Sequence, residues 1–474
     1  MNYNKVNNEV LSSLIGFIGL ENVKTDGATL EKYSYDETPH GLRALPEVVL
    51  KPENTEQVSR ILSLAEQNRI PVTFRGQGTG LSLGAVPTSG GMLVSFERMN
   101  RILEVDEDNL MAVVEAGVVL QDLRREVEKR GLFYPADPGE RTSMVGGNVG
   151  TNAGGMNCVK YGKVRDYVLG LEAVLPSGKI LNLGGKVVKR STGYELIHLI
   201  IGSEGTLAAV TKVTLKLIKL PSLFITLYVP FNTLQGAIKS VSEILRDRIT
   251  PTAIEFVERD VILETENRIG KKMPNHDSEA YLIIRLDGDN DSLLYDEGEK
   301  ISGVCLRNGA VDVLVADTKE SQNNIWDIRS AFYEGIVKNK DVEVIDTAVP
   351  RSKIPEFILE VKNISSRYGV RILCFGHAGD GNIHIHPQRN DLSVEEWSKK
   401  LPKIMEEVYR TSKAYGGTIS GEHGIGLAKK KYLQIGLDEE QIRIMKEIKK
   451  IFDPNNILNP NKIFDIDDST ELVR

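Results

Sequence analysis

Apolar residues recur at two different periods along this chain, and the switches between them mark out its parts. In residues 47–75, EVVLKP reads as a strand. NTEQVSRILSLAEQN then reads as a helix with Val58, Ile61, Leu62 and Ala65 on one face, and IPVTFR as a second strand, so a βαβ unit is predicted. From 92 to 218 short β-branched runs dominate (AVVEAG, YVLGLEAVLPSGKIL, LAAVTKVTLKLI), with one clear helix, LQDLRREVEKRG, and a hairpin turn at 176–178. After Pro221 the order becomes strand SLFITLYV, helix LQGAIKSVSEILRD, strands TAIEFV and AYLIIRL, a helix across 290–307 and strand AVDVLVAD. That β-α-β-β-α-β succession predicts a ferredoxin-like layer. A similar alternation resumes with VEVIDTAVP, IPEFILEVKNISSRYG, RILCFGH and NIHIHP. The expected class is α+β, with a helical segment over 1–45, a βαβ-plus-mixed-β domain over 46–221, a second α+β domain over 222–420, and a helical segment over 421–474 docking back on the first domain.

Composition narrows the function classes. At 474 residues with 41% hydrophobic content the chain is long enough for two or three cores. Acidic side chains outnumber basic ones, 66 to 59, and the longest basic run is KKK at 429–431, which argues against nucleic acid as a partner. Cys158, Cys305 and Cys374 form no CxxC pair, so neither an iron–sulfur cluster nor a disulfide framework is expected. The N-terminal stretch has no basic n-region and only a short, interrupted apolar run. It reads as an amphipathic helix rather than a signal peptide or membrane span, and a cytoplasmic protein is expected.

Three glycine-rich stretches share the β-rich region. GQGTGLSLGAVPTSGG follows strand IPVTFR but misses the GxGxxG fingerprint: Pro87, Gly90 and Gly91 interrupt any helix, and strand MLVSF comes next. Backbone N–H groups there must converge without a helix, an arrangement suited to a diphosphate. PGERTSMVGGNVGTNAGG at 138–155 adds six glycines with Ser143, Asn148, Thr151 and Asn152 as donors, and GSEGTLAAV at 202–210 adds two more. One such loop reads as a plain turn, whereas three in one domain point to a large nucleotide.

GHAGDGNIHIH, residues 376–386, holds three of the seven histidines, and a fourth follows Glu422 in GEHGIG. His384 and His386 alternate on a predicted strand and share a face, while the AGDG turn brings His377 alongside. With Glu422 from another loop they form a His/His/Glu set of the kind that holds a borderline divalent cation with open positions.

The loops RGQGTGLSLGAVP, SMVGGNVGTNAGG and GSEGTLAAVT resemble the FAD-binding domain of the vanillyl-alcohol oxidase and p-cresol methylhydroxylase superfamily. With GHAGDGNIHIH and SGEHGIG the resemblance narrows to FAD-linked 2-hydroxy acid dehydrogenases, a branch that includes the glycolate oxidase D subunit, D-lactate dehydrogenases and D-2-hydroxyglutarate dehydrogenase. It implies FAD contacts at Arg75, Gly76, Gly78, Thr79 and Gly80, at Pro138, Ser143, Gly146, Gly147, Asn148, Thr151 and Gly154, and at Glu204, Gly205 and Val210. Relatives that bind FAD covalently do so through a histidine at the place of Thr79, and residues 41–197 contain no histidine, so a non-covalent flavin is expected. The resemblance further implies His377, His384 and Glu422 as ligands of zinc, ferrous iron or manganese. It implies His423 as the base and Arg329 as the anchor for the substrate carboxylate. His386 stands where D-2-hydroxyglutarate dehydrogenases often carry a substrate-facing asparagine, which leaves it a fourth ligand or a substrate donor.

The implied reaction is oxidation of a small D-2-hydroxy acid, lactate to pyruvate first. The hydroxyl proton goes to His423 and hydride goes to the flavin, with electron-transferring flavoprotein as the expected acceptor. Glu343 and Val344 lie where a distal carboxylate would need a lysine, which favours a short substrate over 2-hydroxyglutarate. D-2-Hydroxyglutarate oxidation, glycolate oxidation and a non-catalytic electron-relay subunit are the alternatives.

Overall fold

The computed structural model describes residues 2–39, 41–337 and 341–466. The chain divides into two compact units, one of Met1–Ala153, Lys163–Lys219 and Glu422–Arg474, the other of Gly154–Gly162 and Leu220–Gly421. Among the described residues no helix is long and apolar enough to cross a membrane.

In the first unit the expected helix, Thr55–Asn68, buries Val58, Ile61, Leu62 and Ala65, and the Asn54 side chain caps it by accepting from the Gln57 N–H. The strands on either side of it, Val48–Leu50 and Val72–Arg75, run parallel in one sheet as the βαβ reading expects, but they are not neighbours. Met92–Ser95 lies between them, parallel to both, in a four-stranded sheet that Val23–Lys24 completes. All four residues of Met92–Ser95 are buried, so that strand takes the inner position. The outer edge at Val72 is covered by the C-terminal chain: its N–H donates to the Ile457 carbonyl and its carbonyl accepts from the Asn459 N–H. A five-stranded antiparallel sheet follows, ordered Ile102–Asp106, Met111–Glu115, Ala209–Lys216, Val168–Val174, Ile180–Gly184. Its last two strands form the hairpin expected at 176–178, with Gly178 at φ 78°.

The second unit is built on a seven-stranded antiparallel sheet. Its order is Leu314–Ala316, Leu223–Phe231, Ala280–Gly288, Ala253–Glu258, Arg371–His377, Asn382–Gln388, Ile345–Ala348. The two successions of strands read from the sequence as separate alternations are thus one sheet, joined where Phe256 pairs with Gly376 and Val257 with Phe375. A helix that the β-α-β-β-α-β reading omitted, Arg259–Ile269, stands between strands Ala253–Glu258 and Ala280–Gly288. Its residues are mostly polar and charged, and only Val261, Ile262, Thr265 and Glu266 are buried, so its apolar stripe is too narrow to stand out. Residues 154–162 also join this unit, although they adjoin a glycine-rich stretch of the first. Met156 enters the apolar core beside Tyr228 and Trp326, and the Tyr161 hydroxyl donates to Asp287 at 2.8 Å.

Candidate active site

Strands Arg371–His377 and Asn382–Gln388 pair as a hairpin in which His377 faces Asn382, Phe375 faces His384, and Leu373 faces His386. Glycine is required at the tight points. A Cβ on Gly376 would lie 2.4 Å from the Asn382 carbonyl, and Gly381 turns the chain at φ 92°. The result is the convergence expected of two of the three histidines. The rings of His377 and His384 stand 5.3 Å apart, nearly perpendicular, with ring nitrogens within 4.8 Å of one another. Both are 5% exposed. His386 is 1% exposed and lies flat on Phe375, with centroids 5.0 Å apart and planes within 6°, and its ring is 6.4 Å from that of Tyr333.

Two carboxylates that the sequence reading missed stand behind the pair. Glu255, fully buried on strand Ala253–Glu258, sits 2.8 and 2.9 Å from the His377 Nδ1. A carboxylate at Nδ1 fixes the tautomer whose Nε2 carries the lone pair, the arrangement that orients a metal-binding imidazole. Asp346, also fully buried, has an oxygen 3.9 Å from the His384 Nδ1. It accepts from Asn382 Nδ2 at 2.7 Å, from the Ser420 hydroxyl at 2.8 Å and from the Gly421 N–H at 2.9 Å. The chain that leads into Glu422 is therefore tied to the strand beside His384. The available signal was an acid set among apolar strand residues, Glu255 in TAIEFV and Asp346 in VEVIDTAVP, because a buried charge requires a partner.

Arg329 is not the surface charge that its helix would suggest, being 6% exposed. Its Nε donates to Glu255 at 2.7 Å, one Nη pairs with the same carboxylate, and the guanidinium lies 5.3 Å from the rings of Phe332 and Phe375. Burial pushes the Glu255 carboxyl up, but Arg329 and His377 more than offset it and hold it below the ordinary carboxylate range.

In the first unit the glycine-rich stretches divide by what surrounds them. Arg75 folds back under its own loop: it donates to the Tyr35 carbonyl at 2.6 Å and leaves Gly78, at φ 79°, no room for a side chain. Gly76 lies close to Met144, and Gly146 packs on Ala116. Thr79 and Gly80 continue the first loop, and Pro138 and Val210 bound the second and third. The second stretch is not all loop, since Val145–Thr151 is a short helix with Asn148 buried, and the Ser143 hydroxyl donates to the Glu140 carbonyl. Within this helix Gly147 and Gly150 differ from Gly146. A Cβ at either would meet nothing within 4 Å and neither has a positive φ, so the protein itself does not require glycine there. Such bare backbone beside open space is what a flat, closely approaching cofactor needs. Gly154 belongs to the second unit.

Glu204, at φ 52°, directs its carboxylate to the loop after His423, accepting from Ile425 N–H at 2.8 Å and Gly426 N–H at 2.7 Å, and Gly205 follows at φ 70°. Burial pushes the Glu204 carboxyl up, opposed by those two N–H groups. The Ser82 hydroxyl donates to the His423 and Gly424 carbonyls at 3.1 Å each, and the His423 Nε2 is 3.7 Å from a Glu422 oxygen.

Residues 220–463 match the family of FAD linked oxidases, C-terminal domain, and residues 46–184 match the FAD binding domain family. The chain belongs to the FAD-linked oxidases. Among its relatives this FAD-linked oxidase is 42% identical over 467 residues to D-lactate dehydrogenase of Anaerostipes hadrus, covering 97% of this chain and 98% of the relative. It is 38% identical to glycolate oxidase subunit GlcD of Bacillus subtilis, covering 99% of each. To D-2-hydroxyglutarate dehydrogenase of Stutzerimonas stutzeri it is 33% identical, over 93% of this chain and 96% of the relative. Its fold is that of p-cresol methylhydroxylase with substrate bound, with a TM-score of 0.80 at 16% identity over 98% of both chains. 4-Ethylphenol oxidase of Gulosibacter chungangensis matches with a TM-score of 0.78 at 19% identity, over 98% of this chain and 99% of that one.

Proposed function

We propose that this FAD-linked oxidase oxidises a small D-2-hydroxy acid, D-lactate to pyruvate first, with the help of one divalent cation. The observation that carries the reading is the buried His377–His384 pair, with ring nitrogens within 4.8 Å and a carboxylate behind His377. The family resemblance adds the Glu422 carboxylate to this pair, and two imidazoles with a carboxylate are a donor set that suits zinc, ferrous iron or manganese. Bound FAD supplies the hydride acceptor, and the bound cation supplies the Lewis acid that lowers the pKa of the substrate hydroxyl.

The remaining work falls to the chain. His423 takes the hydroxyl proton, being the histidine that the family resemblance assigns as base. Glu255 occupies Nε and one Nη of Arg329, which leaves the other Nη for a substrate carboxylate, so the anchor is a single charged contact rather than a two-pronged one. A short substrate is favoured because Val344 is 4% exposed and apolar, and Glu343 adds negative charge near the place where a distal carboxylate would need a cation. FAD is held without a covalent bond, as Thr79 has no nucleophilic ring nitrogen to offer. Electrons pass on to a protein acceptor, electron-transferring flavoprotein being the one that the family resemblance implies.

The test is anaerobic mixing of the FAD-loaded, metal-loaded enzyme with D-lactate, L-lactate, glycolate and D-2-hydroxyglutarate while flavin absorbance is followed. D-Lactate is expected to bleach the flavin fastest, and a chelated sample to bleach slowly or not at all. Full-rate bleaching after chelation removes the metal from the reading, and no bleaching by any of the four acids leaves an electron-relay subunit.

A further inference from the structure

Glu204 lies at a crossing of chains in the first unit. Its N–H donates to the Gly150 carbonyl at 2.8 Å, at the end of the helix in the second glycine-rich stretch. Its carbonyl accepts from Asn459 Nδ2 at 2.8 Å, and the same amide donates to the Gly84 carbonyl of the first stretch at 2.9 Å. Its side chain then grips the backbone just past His423. Both carboxylate oxygens are occupied by main-chain donors, one each. A carboxylate used in this way is poorly matched to a diphosphate, which would repel it.

The loop on the other side is shaped for the grip. Gly424, at φ 78°, places its α-carbon where a Cβ would come within 2.9 Å of Glu204 Oε1. Gly426, at φ 50°, is pressed so tightly on Ser82 that a Cβ would come within 1.9 Å of the Ser82 carbonyl. That carbonyl accepts from the Leu427 N–H at 2.9 Å, while the Ser82 hydroxyl reaches back to His423 and Gly424. The last two glycines of GEHGIG thus allow close approach to one residue from each of two glycine-rich stretches.

We propose that Glu204 is a positioning residue for His423, fixing the base-bearing loop to the framework of the glycine-rich stretches. The inference rests on the assignment of His423 as base. In Glu204→Gln the side chain keeps its size but offers one acceptor to two N–H donors. In the FAD-loaded enzyme, amide hydrogen exchange at Ile425 and Gly426 is expected to speed up roughly tenfold or more, the worth of a hydrogen bond to a charged acceptor. The limiting rate of flavin reduction by D-lactate should fall roughly ten- to a hundredfold, as expected of a misplaced base, with KM and FAD content nearly unchanged. Gly424→Ala approaches the same contact from the opposite side and should give the same split, so the inference stays testable if the glutamine variant folds poorly.

Unchanged exchange at residues 425 and 426 in both variants overturns the proposal. So does faster exchange with an unaltered reduction rate, and so does loss of FAD from Glu204→Gln, which would give the carboxylate to the cofactor. His423→Asn run beside them separates the two ideas. If it reduces flavin at the wild-type rate the base is misassigned, while the exchange data still report whether Glu204 holds the loop.

Discussion

Residues 145–151 and residues 371–388 prepare their sites by opposite means. In the helix Val145–Thr151 the useful feature is what the residues lack: Gly147 and Gly150 present bare backbone to open space, and no charged side chain stands in the segment. In the hairpin of Arg371–His377 and Asn382–Gln388 the useful feature is side chains, spaced by two along a strand and backed by carboxylates from elsewhere in the sheet. A large rigid cofactor is recognised by shape and by main-chain donors. A small ion and a small acid offer little shape and must be met by charge and ligand geometry. The first region tolerates changes of side-chain chemistry but not of volume, and the second the reverse.

That contrast is broken or confirmed most sharply by a pair of variants. His384→Ala should leave FAD bound at full stoichiometry while flavin reduction by D-lactate falls by roughly a thousandfold or more, the several kcal/mol that a catalytic cation contributes. Gly147→Leu should do the opposite. A Cβ there meets nothing within 4 Å beyond its own helix, so thermal stability without flavin should largely hold, while FAD affinity drops roughly tenfold or more as the cofactor is overpacked. Metal content, FAD content and melting temperature of both proteins decide the matter. Loss of FAD from His384→Ala, or normal FAD affinity in Gly147→Leu, would end the division of labour.

The same contrast governs what was legible in the sequence. Strand periods located all seven strands of the second unit, but its helices were read only in part, Phe332–Val337 and the long Val394–Ala414 being passed over. The weakly amphipathic Arg259–Ile269 carried none and was missed. Sheet order was not legible, since the placement of Met92–Ser95 between two earlier strands depends on burial across the whole sheet. Histidine clustering pointed to the convergence of His377 and His384 from local spacing alone. Glu255 and Asp346 were overlooked because their partners lie far along the chain, His377 being 122 positions from Glu255. Arg329 illustrates the limit from the other side. Its local sequence resembles an exposed helix position, and only the packed sheet shows it buried against Glu255.

Glu255→Gln sharpens the account of the second region. The glutamine keeps the volume and one acceptor for His377, but it no longer balances the Arg329 charge and no longer fixes the imidazole tautomer as firmly. Metal affinity is expected to fall roughly ten- to a hundredfold, the usual effect of losing the carboxylate behind a ligating histidine. Titration of the metal-free protein with zinc or manganese measures this directly. Activity should return at high metal concentration, which distinguishes a weakened site from a destroyed one. Activity that stays low under saturating metal would mean that Glu255 acts chiefly by holding Arg329.

The smallest expected effect tests whether the freedom from side-chain chemistry seen at residues 145–151 extends to the first glycine-rich stretch. Lys462 is 2% exposed and donates to the Val86 carbonyl at 2.9 Å and the Thr88 hydroxyl at 3.3 Å, bracing the far end of the first glycine-rich stretch. Burial pushes its ammonium down to about 8, despite the nearby Asp36 and Glu204 carboxylates, against 10.5 for a free lysine. Between those values the unfolded chain holds a proton that the folded chain has released. Stability contributed at this position must therefore rise as pH climbs through that window. Relative to Lys462→Met, the wild-type protein should gain roughly 1–3 kcal/mol between pH 8 and 10.5, read from denaturant unfolding of both proteins at matched pH. A gap that stays flat would show that the ammonium remains charged in the fold. A gap that moves in favour of the methionine variant would mean that the charged lysine is what braces the loop, and that a side chain, not backbone shape alone, holds the first glycine-rich stretch in place.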